Sequence, residues 1–201
     1  MRKNQQQNLK MLLLVAMIMV AGIGIAYAAL STTLTVTMNK VTQNALTWNV
    51  AFVAGTVNGT PGGTGSAGRS CGAATVTANS VTVADTTLSK PEDSCTYALT
   101  IQNTGGIDAT LASLVPTEPS STTCTKTNAS SSVGASMVCG NLTYKITTNA
   151  AGSTPLKTGT TIAKTSGTQA VYLIVTYTGT TLNSSAVTQS GGKFTFTYNQ
   201  A

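Results

Sequence analysis

The sequence predicts an all-β chain: a two-sheet antiparallel β-sandwich, jelly-roll-like, preceded by an N-terminal hydrophobic signal helix. Three observations predict it. Polarity comes from hydroxyls rather than charge, apolar residues alternate with polar ones in short stretches, and a basic start leads into an uncharged apolar run.

The composition comes first. The 201 residues include 39 Thr and 18 Ser, while only 8% are charged. Thr is β-branched and fits a pleated, half-wet surface. Disordered chains are charged and poor in such residues, so a packed β fold is expected. The length suits one domain with a further segment. The formal charge is +6, yet Arg2, Lys3 and Lys10 precede the apolar run. Beyond them, eight Lys and Arg stand singly against five Asp and Glu. A nucleic-acid binder shows clustered cations interleaved with aromatics, so no nucleic-acid partner is expected.

The N-terminal run comes second. MRKNQQQNLK is basic, and Met11 to Leu30 is apolar and uncharged. Ala26-Tyr27-Ala28 then supplies an A-x-A cut site before Ala29. This order describes a secretory signal peptide over residues 1–28, cut by a signal peptidase. About 20 apolar residues also suffice to cross a bilayer, so an uncut anchor is the alternative. The membrane is then met only through this segment. The mature domain is expected over residues 29–201, secreted or at the extracellular cell surface.

The alternating stretches come third, because one wet and one buried face gives a strand a period of two. Leu30, Leu34, Val36 and Met38 share a parity, with Thr33, Thr35 and Thr37 opposite. The same alternation runs through Leu46–Phe52, Cys95–Ile101, Ile107–Leu111, Leu142–Ile146 and Phe194–Tyr198. Ala170 to Tyr177 is apolar on both parities and reads as a central strand covered on both sides. Asn103-Thr104-Gly105-Gly106 marks a hairpin or a corner between sheets. Gly55–Ser70 and Glu118–Ser136 read as loops, the second with a short helix as the weaker alternative. Trp48, in phase with Leu46 and Val50, reads as core.

Four cysteines, Cys71, Cys95, Cys124 and Cys139, follow the cut site. They allow three pairings, and in an oxidising compartment two disulfides are expected. The sequential pairing, Cys71 with Cys95 and Cys124 with Cys139, is the one we expect.

Catalytic chemistry finds few groups. The chain has no His, which removes Ser-His-Asp and Cys-His arrangements and H-E-x-x-H metal sites. No C-x-x-C spacing suggests zinc. Glu92 and Asp93 are adjacent, which suits a solvated turn after Pro91 better than a facing catalytic pair. Four N-x-[ST] sequons occur, and 13 Asn among 57 Ser and Thr yield about four by chance. No catalytic residue, metal or cofactor is expected, and a hydrolase with an unfamiliar site ranks last.

Leu88 to Leu111, LSKPEDSCTYALTIQNTGGIDATL, carries a resemblance. Pro91, Asp93, Ser94, then Tyr97, Leu99 and Ile101, then Asn103, Gly105, Asp108 and Ala109 resemble the TasA/camelysin-like exported surface proteins of Bacilli. So do the signal end, Gly22 to Ser31, and the closing Phe194–Tyr198. The resemblance implies a secreted jelly-roll-like sandwich that polymerises into biofilm-matrix fibres. It also implies that the new N-terminus acts as donor strand for the next subunit. Leu30, Leu34, Val36 and Met38 are then the inserted side chains, and the partner is another copy of the chain. The protease activity described for camelysin has no His here to support it. The alternative to the fibre is a monomeric surface or adhesion module tethered by an uncut anchor.

Overall fold

A computed structural model describes residues 47–63, 69–119, 122–180, 189 and 191–201. The chain divides into two units, Met1–Asn39 and Lys40–Ala201. The first lies wholly outside the described residues, and with it the predicted signal helix.

The described residues hold no helix. They form β1 (Val50–Phe52), β2 (Gly55–Val57), β3 (Thr60–Gly62), β4 (Ala74–Val76), β5 (Val81–Val83), β6 (Ser94–Asn103) and β7 (Ala109–Thr117). After these come β8 (Thr125–Thr127), β9 (Ser136–Cys139), β10 (Leu142–Thr147), β11 (Thr161–Ile162), β12 (Gly167–Tyr177) and β13 (Lys193–Gln200). Every strand pairing is antiparallel.

Three sheets result where two were expected. The largest has seven strands in the order β1-β6-β12-β10-β9-β8, with β3 also on β6. β1 meets the end of β6 and β3 meets its start, both on the edge away from β12. The chain leaves that edge between them to form β2, which joins a small sheet, β2-β4-β5. The third sheet is β11-β7-β13. Gly55–Ser70 is therefore not simply a loop. β2 and β3 are three residues each, too short for a period to show, and they exist because β4 and β6 supply their backbone partners. Pro61 is tolerated in β3 because an edge strand needs no donor on its outer side.

β6 shows the alternation most plainly: Cys95, Tyr97, Leu99, Ile101 and Asn103 are buried, and the residues between them are not. Leu99 and Ile101 share a core with Leu111 and Leu114 of β7, Ile162 of β11, Val171 of β12 and Tyr198 of β13. Tyr97 and Cys95 instead pack with Ala74 of β4, and with Val57, Val81 and Val83 beside them. One inner face of β6 is thus covered in two halves, by two different small sheets. Leu111 and Leu114 are fully buried; truncating such a side chain to Ala costs about 2 to 5 kcal/mol.

β12 lies between β6 and β10. Val171 and Val175 are buried on one parity and Ile174 on the other. The second side is closed by the turn after β10, where a Cβ on Gly152 would stand 3.0 Å from Ile174 Cδ1. Two-sided cover is what the apolar run predicted.

The turn after β6 is a corner, not a hairpin, because β7 belongs to a different sheet. Asn103 is completely buried. Its amide donates to the carbonyls of Ile107 (2.8 Å) and Ile162 (3.2 Å), and its Oδ1 accepts from Gly105 N (3.0 Å). Thr165 and Ser166 adopt left-handed backbone, which costs about 1 to 2 kcal/mol per residue. Their amides donate to the Gly105 and Asn103 carbonyls, which holds them there. Gly105 itself admits no side chain, since a Cβ would lie 2.5 Å from the Thr47 carbonyl.

Candidate assembly edge

The described residues hold no cluster of three His, Cys, Asp or Glu able to grip a metal ion. The most buried acid is Asp93, which is completely inaccessible and not in a solvated turn as its neighbour Pro91 suggested. Its carboxylate accepts from Ser89 N (2.9 Å) and Lys90 N (3.0 Å) and faces Arg69 Nη1 at 3.4 Å. Arg69 also donates to the Gly62 carbonyl. Asp93 therefore ties the turn before β6 to β3. Glu92, beside it, is exposed and left-handed.

The four cysteines form two disulfides, Cys71–Cys95 and Cys124–Cys139. Both link neighbours in sequence order, and the described residues contain no free thiol. Disulfides persist in oxidising compartments. Cys71–Cys95 anchors the segment before β4 to the buried start of β6. Cys124–Cys139 extends the β8–β9 register by one step, since Thr125 pairs with Val138. Its Cα–Cα distance of 4.4 Å matches a directly opposed pair on antiparallel strands.

Sheet edges are where such a domain can meet another chain, because an unpaired strand offers a row of backbone donors and acceptors. β8, at one end of the seven-stranded sheet, spans three residues. It carries Lys126, whose Nζ donates to Glu118 Oε1 at 3.0 Å. Glu118 also accepts from Cys124 N at 3.0 Å. That backbone hydrogen bond, and secondarily Lys126, holds the Glu118 carboxyl below the usual carboxylate range.

β13 is the opposite kind of edge. It spans eight residues, pairs with β7 on one side, and has no strand partner on the other among the described residues. A register shift between Thr197 and Tyr198 marks its C-terminal part. Phe194 and Phe196 pack against the core but remain half-buried. The Phe196 ring meets Phe52 of β1 edge-to-face, centroids 5.6 Å apart. Phe52 N donates to the Ala78 carbonyl between β4 and β5 at 2.9 Å. One residue of β1 thus touches both small sheets, by its ring and by its backbone. All three Phe of the chain and its single Trp, Trp48, stand partly buried on β1, β13 or the approach to β1.

Tyr198 is 8% exposed, and its hydroxyl is the buried side-chain polar atom without a hydrogen-bond partner among the described residues. Burial pushes its phenol far above the ordinary range. Burial also raises the phenols of Tyr97, where Thr86 offsets part of the effect, and of Tyr144. Unlike Tyr198, these two have partners: Thr86 Oγ1 at 2.6 Å and Gln189 Oε1 at 3.0 Å.

Ala26, Ala28 and Ala29, the expected cut site, lie outside the described residues. So do Leu30, Leu34, Val36 and Met38. The Asn103–Gly106 stretch is the corner that the sequence offered as one of two readings, whereas sequence reasoning did not find the open edge of β13 or the burial of Asp93 and Asn103. A scan against protein-family models and searches of curated proteins and of solved structures find no match for this chain.

Proposed function

We propose that the chain is a non-catalytic extracellular structural protein, a β-sandwich subunit of a surface or biofilm-matrix fibre. After export and cleavage before Ala29, residues 30–38 leave as a free strand. They join a neighbouring copy by β-strand addition, in which backbone hydrogen bonds give affinity and alternate side chains give fit. A head-to-tail contact of this kind does not close, and it builds a filament. The observation that carries the reading is the pairing of two features. A nine-residue amphipathic segment follows an A-x-A site, and the domain presents a long edge strand without a second strand partner among the described residues. Two disulfides and an all-β fold accord with life outside the cell. The likeness of Leu88–Leu111 to the TasA/camelysin group accords with a jelly-roll fibre subunit.

The test is the exported chain carrying Leu34→Asp together with Val36→Asp. Electron microscopy should show fibres for the unsubstituted chain and none for the variant, with thermal unfolding of the domain unchanged. Fibres from the variant sink the reading. The second reading, a tethered monomeric surface module, draws on the uncharged run Met11–Leu30. N-terminal sequencing separates the two: Ala29 favours release, Met1 the tether.

A further inference from the structure

We infer that the acceptor is the outer edge of β13, and that residues 30–38 of a second copy pair along it. This rests on the fibre reading above and adds where the incoming strand binds.

Three observations converge on that edge. Its length, eight residues, matches the nine-residue donor segment. Its only charge is Lys193, so little repels a partner along the rest of KFTFTYNQ. The half-buried Phe194 and Phe196, with Phe52 against the Phe196 ring, leave apolar surface beside it.

The sheet layout sets what lies beside this edge among the described residues. The inner face of β6 is covered by two small sheets that are not hydrogen-bonded to each other. Phe52 touches both, which puts the β13 edge and the β4–β5 turn on one flank. A strand added to β13 extends the β11-β7-β13 sheet along that flank. Leu34, Val36 and Met38 then turn toward the aromatics, and Thr33, Thr35 and Thr37 line up with Thr195 on the wet side. β8 offers none of this, being three residues long, charged and disulfide-linked.

The experiment is site-directed cross-linking between full chains. Chains carrying Thr35→Cys are mixed with chains carrying Thr195→Cys, Thr197→Cys or, for comparison, Thr125→Cys on β8. Thr195 is exposed, so its substitution leaves the core alone. Disulfide-linked pairs on a non-reducing gel should form at least tenfold more with a β13 cysteine than with Thr125→Cys. A cross-link to Thr125→Cys, or fibres with no cross-link to β13, overturns the acceptor assignment and leaves the fibre reading standing. A bond that forms only within one chain carrying both Thr35→Cys and Thr195→Cys also overturns it, because the segment then closes its own sheet. Absence of fibres from the unsubstituted chain removes the fibre reading and this inference together.

Discussion

Two edges of the same domain are built in opposite ways. β8 is short, carries a lysine paired with Glu118, and is bonded to β9 through Cys124–Cys139. β13 is more than twice as long, nearly uncharged, flanked by half-exposed aromatics, and holds a buried hydroxyl with no partner among the described residues. Short length, charge and cover are the usual defences of an edge against unwanted pairing. Among the described residues, the domain applies them at one edge and not at the other. That contrast is what the proposed partner of β13 rests on.

The comparison can be broken from either side. The largest effect is expected at β8. Cys124→Ser with Cys139→Ser releases a loop spanning 15 residues, which by loop-closure entropy lowers stability by about 3 kcal/mol. Denaturant unfolding should show that loss, and the freed edge should promote irregular aggregation that the parent lacks. An unchanged midpoint would mean the disulfide does not clamp this edge.

A smaller effect is expected at β13. Tyr198→Phe removes the unpartnered hydroxyl and should stabilise the unassembled domain by about 1 kcal/mol. It also bears on alkaline behaviour. The folded phenol ionises above its unfolded value of about 10, so the unfolded chain loses its proton first. Stability then falls as pH rises past about 10. The variant should lose less stability there than the parent, while Tyr97 and Tyr144 keep part of the effect. Equal alkaline loss in both proteins would contradict the burial of Tyr198.

The smallest effect is expected at Glu118. Its folded value lies below the unfolded one, so its contribution is present above about pH 4.3 and fades as pH falls through the folded value. The side chain is exposed, and Glu118→Gln should shift the melting temperature only slightly near neutral pH. The difference from the parent should vanish in acid. A difference that persists there would point to lost backbone geometry at Cys124 rather than lost charge.

Long strands were legible in the sequence because they are long enough to show a period. β6 alternates over ten residues, and β12 announces its two-sided cover by apolar residues on both parities. β2, β3, β4 and β5 run three residues each, where period two and chance look alike. The split of the second layer into two sheets was hidden with them. Asp93 after Pro91 and Asn103 before Thr-Gly-Gly look like ordinary turn residues. Their burial depends on Arg69 and on the Ile162 carbonyl, both distant in sequence. An open edge is a relation among strands, so no single stretch of residues reports it.

Hydrogen exchange along β13 reads the proposed acceptor edge itself. The amides of Lys193–Gln200 are followed in assembled parent chains and in the unassembled Leu34→Asp, Val36→Asp variant. Amides facing β7 should be protected in both. The alternate amides, which face outward, should gain protection only on assembly, while Thr125–Thr127 of β8 should stay unchanged. Outward β13 amides that exchange equally fast in fibres and in the variant would contradict the account.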